Sequence, residues 1–482
     1  MSKSYGAALG TLVSVFFFWG FVAASNDILI PVFKEKLHLE QWQSQMISFA
    51  FYVAYTVGSL IYYLISRKLK DDLLNRIGYK NGIALGLIIS ATGTLLFYPA
   101  AETASFGIMI TGLFIVGLGF SLQQIAANPL VINLGDPKKG SQRLSLTGGI
   151  NNIGTTIGPL LISFAIFGKV ASDTAAVASI ESIKVPYLIL GAVFVAVAVI
   201  FKFSSIPDNI PAVTETVSTD TGEKKSPLSY TQLWMGMIAI FVYVGVEVST
   251  ASNLPEFMRQ HLGTPTDKIA PFVSLFWASL MIGRWTSAAG AFGVKRGFKM
   301  VLNLILPYLA FGLFILVNKI ANHDVTPFYI YLFIILILII ADITSKGNPV
   351  RQLLLFSACG ITSLFIGMFA DGMVSVYAFI SVGLFCSTLW PCIFTLAIAG
   401  LGKHTNTGSG FLVMMIMGGG CISLLQGLLA SDKLLGIQWS YLTGVACFAY
   451  LAFYAIIVKK VLAKRGINYS SSKKSEKEIL AH

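Results

Sequence analysis

The stretch VPYLILGAVFVAVAVIFKF, residues 185–203, decides the fold, because no acidic or basic side chain occurs in it between Lys184 and Lys202. Hydrocarbon about 30 Å thick takes roughly 20 apolar residues to span as a helix, and this run has that length and composition. Directly after it the character of the chain inverts. Residues 204–231 are rich in Ser, Thr, Pro and charge (Pro207, Pro211, Glu215, Asp220, Glu223, Lys224, Lys225, Pro227), a composition that favours a flexible linker.

Working outward, comparable apolar runs fall near residues 8–32, 44–66, 81–100, 105–134 and 144–168 before this span. After the linker they fall near 233–255, 270–291, 299–318, 326–343, 350–369, 374–401, 409–430 and 439–462. With 55% hydrophobic and only 12% charged residues over 482 positions, the chain has too little polar surface to coat a soluble globule. Membrane-spanning β-barrels read as roughly ten-residue alternations of apolar and polar positions, which do not occur here. The expectation is therefore an all-α polytopic membrane protein of about 14 spans. The pair at 299–343 leaves room for a re-entrant hairpin, since Pro307 interrupts one run and the other is short. Cys359, Cys386, Cys392, Cys421 and Cys447 lie in apolar runs without metal-ligand or disulfide spacing, and read as packing residues.

Charge orients the chain. Lys3, the 67–80 loop, Lys138, Lys139, Arg143, Arg284, Lys295, Arg296, Lys299 and the basic run from Lys459 to the end fall on one side when the spans alternate. By the positive-inside rule that side is cytoplasmic, so both termini are placed inside. Lys3, an apolar run and Val22-Ala23-Ala24-Ser25 loosely mimic a signal peptide, but removing it would spoil this alternation. A net charge of +12 is accounted for by anionic inner-leaflet lipid and implies no nucleic acid.

The linker after the sixth span divides the chain into two helical halves, as in transporters built from parallel repeats with a binding site between them near the midplane. From Asp27 to the pair Leu134-Gly135 is about 108 residues, whereas from Glu247 to Leu401-Gly402 is about 155. An inserted pair of spans at 299–343 supplies the difference and preserves topology downstream. The expected organisation is a six-helix bundle over 1–203, a cytoplasmic linker over 204–231, a second bundle over 232–462 carrying the inserted hairpin, and a basic tail over 463–482.

Ionisable groups within spans are costly and are retained mainly where they face a cavity, a partner or a coupling ion. Asp27, beside Asn26 and four residues before Pro31, and Glu247 are the two that stand out. Gln123, Gln124, Asn128, Asn151, Asn152 and Asn253 offer the paired donors and acceptors that suit ligand hydroxyl groups, though each also serves as helix-to-helix glue. Asn151 and Asn152 diverge by about 100° around a helix, so one of them is glue. Trp19, Trp277 and Trp390 could stack on a sugar face or simply pack, Trp390 standing out because Pro391 follows it.

NDILIP (26–31), QIAANP (124–129), NNIGTTIGP (151–159) and Gly283-Arg284 resemble the fucose permease family of the major facilitator superfamily. YVGVEV (243–248) is similar to the seventh helix of its glucose/galactose transporter branch. The resemblance runs from about residue 8 to 458 except for the inserted pair. It implies uptake of a hexose or related sugar, driven by an H+ or Na+ gradient through alternating access; the expected location is the cell inner (cytoplasmic) membrane. By the same resemblance Asp27 matches a first-helix carboxylate used in coupling and sugar binding, and Glu247 an acidic position of the glucose/galactose branch. Gln124 falls where proton-coupled fucose permeases carry a glutamate, which removes one titratable site. Asn151 matches a fifth-helix asparagine, and Gly148 replaces a glutamine, which would enlarge the cavity. The expected substrate site is Asp27, Asn26, Gln124, Asn128, Asn151, Asn253 and Trp390, with Asp27 and Glu247 for ion coupling and no cofactor beyond that ion. The expected partners are the sugar and the bilayer, with the chain a monomer. His38, His261, His323, His404 and His482 are scattered, so no enzyme centre is expected. An exporter of another polar solute and a transporter-derived sensor are the alternatives.

Overall fold

The computed structural model describes residues 9–21, 41–134, 136–167, 184–204, 226–265, 268–292, 296–431 and 433–469. Asn26 and Asp27 lie outside them, as does most of the linker. Among the described residues the fold is entirely helical, and the protein is a multi-pass membrane protein. The helices are α1 Leu9–Phe21, α2 Gln41–Leu69, α3 Tyr79–Glu102, α4 Phe106–Asn133, α5 Gly140–Phe167, α6 Lys184–Lys202 and α7 Thr231–Leu262. They continue with α8 Ala270–Ala288, α9 Arg296–Ile320, α10 Thr326–Ser345, α11 Pro349–Phe369, α12 Gly372–Ile398, α13 Gly402–Leu429 and α14 Gly436–Lys464. Eleven of the described helices are long and apolar enough to cross a membrane. The remaining three, α1, α5 and α8, are the described part of the first span and two helices richer in polar and small residues. Each of the expected spans is represented.

Apolar side chains point outward as well as inward, as lipid requires. On α9 and α10, Met300, Leu309, Phe333 and Ile340 are all more than half exposed. Burial follows small residues instead, because helices in lipid associate through close packing rather than hydrophobic exclusion. Gly20 of α1 lies against the backbone of Asn151, and Gly154 and Gly158 of α5 lie against Phe17 and Phe21, so tightly that no Cβ would fit.

In the first half α4 packs on α2 and α3, and α3 on α6; in the second, α7 packs on α12, α13 and α14, and α11 on α12 and α14. The pair α9 and α10 packs outside this second set, α9 mainly on α8. Both are full-length helices, with Pro307 accommodated inside α9, so a pair of spans and not a re-entrant loop occupies 299–343. Buried Asp342 of α10 docks the pair. Its carboxylate accepts hydrogen bonds from Gln352 Nε2 of α11 (2.9 Å) and Asn303 Nδ2 of α9 (3.4 Å).

Candidate functional site

The two halves meet where α5 packs on α8 and α12, and where α2 and α4 pack on α13. Hydrogen bonds between them concentrate towards the end that carries the basic 67–80 loop. There Asp72 caps the short helix Leu73–Ile77 by accepting from Leu74 N (3.0 Å), and also accepts from Tyr62 Oη (2.5 Å). Its remaining capacity crosses to α13: Asn406 Nδ2 donates at 3.2 Å and Thr407 Oγ1 at 3.1 Å. Tyr79 Oη donates to Asn406 Oδ1, and Thr56 Oγ1 donates to Met414 O (3.1 Å).

Two prolines free further acceptors, one answered across the halves and one within the second half. Proline has no N–H, so the carbonyl four residues before it loses its helical partner. Pro129 frees Ile125 O in α4, which accepts from Ser409 Oγ of α13 at 3.0 Å. Pro391 frees Ser387 O in α12, which accepts from Arg284 Nε of α8 at 3.1 Å. In lipid an unanswered carbonyl is costly, so each freed acceptor fixes where a donor must come from.

Arg284 is the centre of this interface. Its Nη1 donates to Asn152 Oδ1 at 2.7 Å, and approaches Gly148 O at 3.4 Å, both on α5 of the other half. Beside it Trp285 Nε1 donates to Gly149 O at 3.0 Å. On its own half Arg284 lies within Coulombic range of Glu247 and Tyr243 of α7. The Tyr243 hydroxyl donates to Glu247 Oε2, and the Tyr243 ring faces Trp390 at 6.3 Å between centroids. The cation thus bonds to the amide of one half and stands near a carboxylate and phenol of the other that are paired with each other.

This corrects two expectations. Arg284 does not belong with the loop cations, because α8 continues to Ala288 and holds it inside the span, where freed carbonyl and amide acceptors satisfy it. Gly148 does not leave open space: a Cβ there would stand 3.2 Å from Arg284 Cδ and 3.3 Å from Nη1, so the missing side chain makes room for the guanidinium.

The other candidates are dispersed. Gln124 Nε2 donates to Tyr55 Oη (3.1 Å) within the first half, and Asn151 Nδ2 to Phe16 O of α1 (2.8 Å). Asn253 Nδ2 donates to Ser249 O one turn back on α7 (2.8 Å). Asn128 lies one turn beyond Gln124 on α4, 2% exposed, with its Nδ2 donor unpartnered. Buried Trp19 donates to Gln123 Oε1, whose Nε2 donates to Ser90 Oγ (3.0 Å), so these two are glue within the first half. Trp277 is 39% exposed on the outer surface of α8. Sequence reasoning passed over Arg284, Tyr243 and Tyr55 as site residues; for Arg284 the available signal was a cation only four residues from the end of an apolar helix, next to Gly283.

A family model described as Major Facilitator Superfamily matches residues 7–341. The chain belongs to the major facilitator superfamily. A glucose/galactose transporter of Brucella abortus is 34% identical over 463 residues, covering 95% of each chain. An L-fucose-proton symporter of Escherichia coli is 27% identical over 475 residues, covering 94% of this chain and 93% of its own. Among solved structures, the superfamily transporter FucP in the outward conformation superposes with a TM-score of 0.70 at 25% identity, over 95% of this chain and 99% of that one. The resemblance carried by the 26–31, 124–129 and 151–159 motifs is borne out.

Proposed function

We propose that this protein imports a hexose or related sugar by cation symport, with its two halves opening alternately around a pocket between them. The observation that carries the reading is Arg284, which bonds to an amide of α5 across the line where the halves meet and stands near the acidic Glu247 of α7. A charge inside a span is expensive, and one that bridges two bundles gives each bundle a stake in the other's position. The full-length similarity to a glucose/galactose transporter and a fucose-proton symporter supports a sugar as substrate. The second of these names supports the proton as coupling ion; Na+ is the competing assignment.

In this reading Asp27 and Glu247 couple the ion to the sugar. Asn26, Gln124, Asn128, Asn151, Asn253 and Trp390 supply hydroxyl contacts and a stacking face, and no further cofactor takes part. Residues 1–203 and 232–462 form the moving halves joined by the 204–231 linker, with 463–482 a basic tail. The basic end faces the cytoplasm of a bacterial inner membrane, with both termini inside, and the chain works as a monomer. The described hydrogen bonds that cross between the halves near Asp72 would then close the cytoplasmic side.

Counterflow in proteoliposomes tests this. Labelled glucose, galactose, fucose and N-acetylated hexosamines are offered with an imposed proton or sodium gradient. Exchange of a hexose, with accumulation under one gradient, is the expected result. Absence of exchange for every sugar, or gradient-driven extrusion of another solute, would replace the reading with an exporter.

A further inference from the structure

At the basic end, away from the interface between the halves, α11, α14 and the chain after α14 line a cleft of about 350 Å³. Arg351, Lys459 and Lys460 line it, all exposed, and among the described residues no carboxylate forms an ion pair with any of them. Its floor is built by a turn of chain after α14. Gly466 adopts φ +78°, Ile467 N bonds back to Leu462 O (3.0 Å), and Asn348 Nδ2 holds Tyr469 O at 3.0 Å. The neighbouring Arg465 is directed elsewhere, its guanidinium lying over the Tyr230 ring at 4.6 Å. The cleft therefore gathers three cations, an amide in Asn468 and a phenol in Tyr469 at the level where helices leave the membrane. Its wall continues into the span as apolar surface, with Leu354 38% and Ile456 46% exposed.

We propose that this cleft is a binding site for an anionic phospholipid of the cytoplasmic leaflet, its phosphate held by Arg351, Lys459 and Lys460 and its acyl chains lying along Leu354 and Ile456. Three like charges converging without counter-charge repel one another, and a phosphate ester removes that repulsion. Arginine offers a planar fork that matches phosphate oxygens, and the two lysines add point charges on stems long enough to reach the interface. A free phosphate would satisfy the cations equally, but would leave the exposed apolar wall without a partner; a lipid answers both at once. Basic pockets between helix ends on the cytoplasmic side are where anionic headgroups lodge. The site stands apart from the proposed sugar pathway, so its test does not depend on which solute is carried.

The experiment is native mass spectrometry of the full-length transporter released from detergent after exchange into phosphatidylglycerol, cardiolipin or phosphatidylcholine. The variant is R351Q/K459Q/K460Q, and the control is R67Q/K68Q/K70Q, which removes as many cations from another loop of the same end. The wild type and the control are expected to retain one anionic lipid and no phosphatidylcholine. The triple variant is expected to bind it on the order of a hundredfold more weakly, each cation contributing about fivefold, and each single substitution to show its own share. The single variants keep the test decisive if the triple variant is poorly folded. Equal retention by R351Q, K459Q and K460Q, equal retention of phosphatidylcholine, or equal loss in the control would overturn the proposal. So would occupancy by inorganic phosphate that displaces the lipid, which would make the cleft a free-anion site.

Discussion

Asp72→Asn isolates the charge of the carboxylate that joins the halves at the basic end. Asparagine caps a helix about as well as aspartate, so the short helix Leu73–Ile77 and the fold are expected to survive. What changes is the bond that Oδ1 receives from Asn406 Nδ2 at 3.2 Å, now to a neutral acceptor, and the one that Oδ2 receives from Thr407 Oγ1 at 3.1 Å, where an amide NH2 can only donate to the hydroxyl. Hydrogen bonds to a charged acceptor contribute about 1.5–3 kcal/mol each, neutral ones about 0.5–1.5. Losing about 1 kcal/mol at each of two bonds weakens the closed arrangement by about 2 kcal/mol, a shift of roughly thirtyfold in the equilibrium between closed and open ends. Spin labels at Arg76 and Lys403, both exposed and on opposite halves, report that equilibrium as a distance distribution in nanodiscs. The variant is expected to move population from the short to the long distance, and Thr407→Val, which deletes one of the two bonds, to move it about half as far in free energy. A distribution identical to wild type for both variants would refute the view that these bonds hold the end shut.

Glu247→Gln keeps an acceptor for the Tyr243 hydroxyl but removes the charge facing Arg284, and is expected to abolish gradient-driven accumulation while sparing sugar counterflow; an unchanged response of uptake to pH and sodium would make the carboxylate structural. Asp27→Asn is expected to do the same, and unimpaired concentrative uptake would remove Asp27 from the coupling machinery. Gly148→Gln places a side chain in the space of the Arg284 guanidinium. Overpacking of this kind costs about 1–3 kcal/mol, so a Tm lower by a few degrees and a raised counterflow KM are expected; neither changing would show that Arg284 does not need the gap.

How far the sequence reaches can be judged from particular helices. Spans such as 185–203 were legible because the membrane imposes one length and one composition, and every carbonyl inside it must be answered within the helix or by a close neighbour. The two helices at 299–343 were legible as apolar runs and as an excess of chain between Glu247 and Leu401. That both members cross fully was not, because Pro307 reads as a break in sequence; in the folded chain it sits inside a continuous α9, backed by α8. The docking of α10 by Asp342 was also invisible, since it depends on Gln352 and Asn303 arriving from two other helices.

The pairings within the candidate site were obscure in the sequence, and Arg284 shows why. Taken alone it is a cation near the end of an apolar run, which the positive-inside rule assigns to a loop. Its placement becomes necessary only when three distant facts are combined: Pro391 frees Ser387 O, Gly148 supplies a gap the width of a side chain, and Asn152 presents an oxygen on the same face of α5, one turn further on. One of those belongs to α12 of the same half and the other two to α5 of the other half. Each is unremarkable by itself, and a glycine or proline announces the absence of a group and not what will fill the vacancy. The same logic places Ser409 against Ile125 O below Pro129. Proline and glycine at the interface between the halves therefore carry positional information about the partner's side chains, which explains why the motifs around Asn128-Pro129 and Trp390-Pro391 do not themselves name the residues that bridge it.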